Sequence, residues 1–124
     1  MGLDMFLYKR KNGTKTLEEV AYWRKANQIR NWIVQNTEYE ADADCEEYLL
    51  NKETLENLVS DCKAVIAENT LADELLPTKS GFFFGSTEYD DWYFEDLKST
   101  VKQVEKVLKE TDWDNEDIYY YEWW

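Results

Sequence analysis

Two stretches of this chain repeat their apolar residues every three or four positions, and that spacing limits the fold more than any other feature. In residues 52–68 the set Leu55, Leu58, Val59, Cys62, Val65 and Ile66 falls on one side of a helix. Asn51 stands before it as an N-cap. In residues 87–110, with Thr87 read as the cap, Phe94, Leu97, Val101, Val104 and Leu108 make a second stripe. A one-sided helix must bury its stripe against another layer. The remaining residues have to supply that layer.

Residues 3–9 alternate Leu3, Met5 and Leu7 with Asp4, Phe6 and Tyr8, as a strand does. Asn12-Gly13 marks a turn within residues 9–15. Thr16-x-x-Glu19 has the spacing of a capping box, so a further helix is expected over residues 16–36. Residues 37–47 read as an acidic loop and 46–50 as a short strand. Pro77 and the glycines Gly81 and Gly85 belong to a connection, 112–117 is a turn, and 118–124 is a strand rich in Tyr and Trp. The expected class is α+β: a small antiparallel sheet of about three short strands packed with three helices, in one domain over residues 1–124.

Charge narrows the choice of partner. The chain has 14 Lys/Arg against 27 Asp/Glu, a net −13, distributed unevenly. Residues 1–36 hold seven basic groups against three acidic, and residues 37–124 hold seven against 24. Such a field repels nucleic acid and anionic lipid and draws in basic proteins. Six Trp, nine Tyr and five Phe supply apolar burial that a disordered acidic tail lacks. No stretch approaches the roughly 20 apolar residues of a membrane span, and no signal-peptide core stands at the N-terminus. Met1-Gly2 is followed by Phe6 where myristoylation wants Ser or Thr. Cys45 and Cys62 fit neither a disulfide framework nor a tetrahedral zinc site, and read as reduced thiols of a cytoplasmic protein.

Catalytic chemistry finds little purchase. The chain has no His, the usual base for a Ser or Cys nucleophile, and Asp44, Glu46 and Glu47 around Cys45 disfavour its thiolate. Carboxylates abound, but no pair is set apart by apolar surroundings. Asp112-x-Asp114-x-Glu116 begins like a calcium loop, yet Asp117 stands where Gly is needed and Trp123 where the bidentate Glu belongs. The segment from Gly81 to Thr87 offers free amides to an anion, but it lacks a Walker Lys. Glu88, Asp90 and Asp91 there would repel a phosphate. Its glycines permit tight turns while Phe82, Phe83 and Phe84 plug the core or line a groove. No catalytic residue, metal or cofactor is expected.

The positive signals are surfaces. Three acidic blocks carry aromatics among their carboxylates: Glu38, Glu40, Asp42, Asp44, Glu46 and Glu47; Glu88, Asp90, Asp91, Glu95 and Asp96; and Asp112, Asp114, Glu116 and Asp117. Tyr39, Tyr48, Tyr89, Trp92, Tyr93 and Trp113 are interleaved with them. Carboxylates can meet Lys and Arg in place of phosphates, while Tyr and Trp supply contact area at low entropic cost. A second face is expected on the first helix, where Val20, Trp23, Asn27, Arg30 and Val34 lie opposite the core positions Tyr22, Ala26, Ile29 and Ile33. That face is either sandwiched inside the domain or in contact with another molecule.

The opening Met1-Gly2-Leu3-Asp4-Met5-Phe6-Leu7-Tyr8 resembles that of a family of small phage and bacterial proteins of uncharacterised function. The resemblance extends to Tyr22-Trp23-Arg24-Lys25-Ala26-Asn27, Asp44-Cys45, Cys62, Leu76-Pro77-Thr78, Ser80-Gly81-Phe82-Phe83-Phe84-Gly85-Ser86-Thr87 and Thr111-Asp112-Trp113, nearly the whole chain. Family members sometimes carry the label phosphoglycerate kinase, an enzyme that needs a far longer, two-lobed chain. Members often have His in the first helix where this chain has Arg30. The resemblance implies a phage or prophage setting and no established activity. Combined with the acidic blocks, it leads to the expectation of a phage-type inhibitor in the host cytoplasm. The target would be a basic, nucleic-acid-handling host defence protein, such as a CRISPR effector or restriction enzyme, met in part as a nucleic-acid mimic. The alternatives are a small-ligand binder or weak enzyme using Phe82, Phe83 and Phe84 with Asn27 and Arg30, and a domain self-associating through Trp23 or the Trp123-Trp124 strand.

Overall fold

The alternation at the N-terminus becomes β1 (Asp4–Lys11), with Met5 and Leu7 buried and Phe6 and Tyr8 on the opposite side. The computed structural model describes residues 3–39, 47–79 and 88–123. Within them β1 pairs antiparallel with β2 (Glu18–Arg24) on one side and with β4 (Glu116–Trp123) on the other. The short β3 (Tyr48–Leu50) closes the far edge of β4, giving the order β2-β1-β4-β3. The α+β class holds, with a four-stranded sheet rather than about three strands.

The additional strand lies where a helix was expected. Residues 18–24 are extended, and the Thr16-x-x-Glu19 capping box is not used. A cap contributes about 1 kcal/mol. Pairing along β1 and burying Trp23 to 4% exposure outweigh it, because a buried aromatic alone contributes about 1.5–3 kcal/mol. Trp23 also donates its indole N–H to Thr100 Oγ1 at 2.8 Å. The register steps from Leu7↔Ala21 to Tyr8↔Glu19, so Val20 is a bulge that lets the helix-like spacing of this segment sit on a strand. The supposed helix face through Val20, Trp23, Asn27, Arg30 and Val34 is therefore split between two elements.

Lys25 ends β2 in the left-handed region, φ 56°, and donates its N–H to Leu3 O at 2.7 Å. The chain then enters α1 (Asn27–Asn36), where seven successive residues, Asn27 to Ile33, are buried. This helix is polar in composition and core in position, because its side chains are paired in several directions. Gln28 donates to Tyr93 O, Asn31 to Pro77 O at 3.1 Å and Trp32 to Asp61 Oδ2 at 2.8 Å, while Arg30 pairs with Glu122 of β4. Sandwiching inside the domain is the outcome for Asn27 and Arg30.

In α2 (Lys52–Ala67) the Asn51 side chain accepts from Thr54 N at 2.8 Å, and Leu55, Leu58, Val59, Cys62 and Val65 are buried. A short 3₁₀ turn, Asn69–Leu71, and the one-turn α3 (Ala72–Leu75) follow. The last helix, α4 (Asp91–Glu110), is capped by Asp90, whose Oδ1 accepts from Tyr93 N at 3.1 Å; the expected cap, Thr87, lies outside the described residues. Helices α2 and α4 pack together and α4 leans on β2, covering the sheet face that carries Met5, Leu7, Ala21, Trp23, Leu50, Ile118 and Tyr120. No described element covers the other face. Among the described residues no helix is long and apolar enough to cross a membrane.

Candidate protein-binding site

The acidic blocks do not form one row. Residues 88–96 lie at the start of α4 and residues 112–117 just beyond its end, so the 20-residue helix holds them about 30 Å apart. Exposed Lys98, Lys102, Lys106 and Lys109 lie between them. In the first block Glu40, Asp42, Asp44 and Cys45 lie outside the described residues, as do Phe82, Phe83 and Phe84 of the other loop. Glu38 is exposed, and its backbone N–H donates to the Tyr48 hydroxyl at 3.1 Å.

The C-terminal block is occupied by its own turn. Asp112 accepts from Asp114 N at 3.2 Å and from Asn115 Nδ2 at 2.8 Å, bonds that hold its carboxyl below the usual range, the Asn115 side chain first. Glu116 accepts from Asp112 N at 2.8 Å and lies 3.8 Å from Lys9 Nζ. In the antiparallel register Asp117 faces Arg10 and Glu116 faces Lys11. Asp114 is exposed. These carboxylates serve a turn and are partly neutralised by β1. Among the described residues no three acidic or thiol groups converge as metal ligands.

The start of α4 is different. Trp92 is 80% exposed, with exposed Glu88, Tyr89, Asp91 and Glu95 around it in sequence. The neighbouring aromatics are anchored. Tyr93 packs edge-on against Tyr89 at 5.0 Å and Phe94 at 4.9 Å and donates its hydroxyl to Leu76 O at 2.7 Å. Tyr89 donates to Asp73 Oδ1 at 3.1 Å. Tyr93 thus fixes the helix end to the segment after α3, and Trp92 is presented from a rigid base. Burial pushes the Tyr93 hydroxyl well up from its ordinary value.

Beside Trp92 is a cleft of about 330 Å³. Arg24, Lys25, Asn27 and Gln28 line it from the β2–α1 junction, and Glu88, Asp90, Trp92, Tyr93 and Asp96 from α4. Asp96 is half-buried there. Burial raises its pKa, the Gln28 amide at 3.3 Å opposes that, and the Asp90 carboxylate adds to the rise. Asn27 accepts the Lys79 backbone N–H at 2.9 Å. Of the residues expected on the first-helix face, only Asn27 reaches the cleft. Trp23 and Arg30 are interior. Burial, with a smaller contribution from Asp61, pushes the Cys62 thiol up to about 12, which leaves it a core side chain and not a nucleophile at neutral pH.

One surface was legible in the sequence and missed. Phe6 and Tyr8 on β1, Tyr22 on β2, and Tyr119, Tyr121 and Trp123 on β4 share the sheet face that no described element covers. Their signal is the period of two against Met5 and Leu7 and against Ile118, Tyr120 and Glu122. Compared with protein-family models, curated proteins and solved structures, the chain matches none.

Proposed function

We propose that this chain is an acidic, phage-type inhibitor that binds a basic nucleic-acid-handling host protein, such as a CRISPR effector or restriction enzyme, in the host cytoplasm. The observation that carries the reading is Trp92, 80% exposed on an anchored helix start among Glu88, Asp91 and Glu95. An indole standing in water at a rigid position is the composition of an interface anchor, and carboxylates around it select a cationic partner. The motif resemblance to phage proteins supports the setting. The separation of about 30 Å between the acidic residues at the two ends of α4 supports a reading in which the partner is met at the helix start and not along an extended row of DNA-like charge.

The test is inhibition of DNA cleavage across a panel of CRISPR effectors and restriction nucleases. Trp92→Ala and the pair Asp91→Lys with Glu95→Lys should each weaken an inhibition shown by the unaltered protein about ten- to a hundredfold. Inhibition that survives both variants would reject this site, and no inhibition anywhere in the panel would reject the function. A second reading, a small-ligand binder, is favoured by the cleft beside Trp92, where basic and acidic groups line one space. Thermal shifts across a panel of zwitterionic metabolites would reveal it, with Asp96→Asn abolishing the shift.

A further inference from the structure

We infer that the sheet face that no described element covers is a platform for arginine side chains of a basic protein segment. The inference rests on the reading that the partner is a basic protein, and it locates where that partner's arginines go. Four rings make a continuous patch across three strands. Phe6 stacks on Tyr8 with centroids 5.5 Å apart, and Phe6 lies 5.2 Å from Tyr22 and 6.1 Å from Tyr121. Tyr8 and Tyr121 are 6.2 Å apart. Phe6, Tyr8 and Tyr121 are half-buried and Tyr22 is 40% exposed, so the patch offers part of its ring surface to a ligand.

The charge around the patch selects the ligand. Asp4 accepts the Tyr22 hydroxyl at 2.6 Å on one side. Glu19 stands opposite Tyr8 in the register of β1 and β2. Glu47, just before β3, is also close enough that, after burial and Glu19, its charge helps to raise the Tyr8 pKa. Arg24 stands opposite Asp4 in the register and offsets one of these charges, and the carboxylates that remain beside the rings attract a cation and repel phosphate. Stacked nucleobases would need a cationic groove, so a nucleic acid is the wrong occupant.

The same face already shows the geometry in miniature. The Arg10 guanidinium lies 4.6 Å from the Tyr119 ring centroid and donates to the Tyr119 hydroxyl. Guanidinium is planar and weakly hydrated, so it stacks where a lysine ammonium holds its water. Phe6, Tyr8 and Tyr121 offer the same kind of ring beside carboxylates. The occupant is therefore an arginine-bearing segment, with arginine preferred over lysine.

The test uses calorimetric titration of the full chain with a nona-arginine peptide, a nona-lysine peptide and an oligothymidine at physiological salt. Tyr8→Ile and Tyr121→Ile together keep apolar, strand-compatible side chains and remove two π faces. Circular dichroism verifies the fold, and Tyr8→Phe with Tyr121→Phe restores the rings. The unaltered protein should bind the arginine peptide about tenfold more tightly than the lysine peptide. The isoleucine pair should abolish that preference and the phenylalanine pair should retain it. Glu53→Lys with Glu56→Lys, on the exposed side of α2, should leave the ratio intact. Equal binding of the two peptides, a preference that survives the isoleucine pair, or tighter binding of the oligothymidine would overturn the inference while leaving the α4 site standing. Failure of both peptides to bind would overturn the basic-partner reading together with it.

Discussion

Replacing Glu122 by Gln should be among the most damaging conservative changes in this protein. Glu122 is 2% exposed and pairs with Arg30, 6% exposed, while Tyr39, also buried, donates its hydroxyl to the other carboxylate oxygen. The substitution keeps the shape but takes the Glu122 charge away from the buried guanidinium. Breaking a buried pair this way costs about 3–5 kcal/mol. With an unfolding entropy of about 2.1 cal/mol/K per residue, a chain of 124 residues loses roughly 4 °C of Tm per kcal/mol, so Tm should fall by roughly 12–19 °C. Arg30→Met combined with Glu122→Gln removes both charges and leaves an amide oxygen for Tyr39. It should regain all but about 1–2 kcal/mol. Urea denaturation of the two single variants and the double gives the coupling directly. A loss below about 1 kcal/mol for Glu122→Gln, or a double variant no more stable than the two losses added, would show that this ion pair does not organise the core as argued.

Tyr120 is fully buried and its hydroxyl has no hydrogen-bond partner among the described residues, so Tyr120→Phe should raise stability by about 1 kcal/mol in the same urea assay; a loss would mean the hydroxyl is satisfied. Gln103 exchanges two hydrogen bonds with the backbone of Tyr22 on the edge strand β2, 2.8 Å to its N–H and 2.9 Å to its carbonyl. Gln103→Ala should cost about 1–2 kcal/mol and open that edge to strand pairing, seen as concentration-dependent self-association by sedimentation. Burial raises the Asp96 pKa above its ordinary 3.8, so the folded state favours the proton and the ionised form weakens the fold as pH rises. Asp96→Asn should therefore be more stable than the unaltered protein at pH 7, with the advantage vanishing as pH falls below the ordinary carboxylate range. An advantage independent of pH would contradict that cause.

The sequence by itself determined α2, β1, β3 and β4, because a stripe such as Leu55, Leu58, Val59, Cys62 and Val65 or an alternation such as Met5 and Leu7 is written in neighbouring residues. It also placed Trp92 among carboxylates. The tertiary structure decided residues 18–24, where a local capping signal gave way to pairing with β1. It decided which carboxylates are spent locally, since Asp112 and Glu116 bond within their own turn. It decided, too, that Asn27 and Arg30 are interior. Arg30 is a surface residue by composition, and it became core because its counter-ion arrives from Glu122, 92 positions along the chain. Periodicity is a local property of a sequence, whereas the burial of a charge depends on which distant group folds back to meet it.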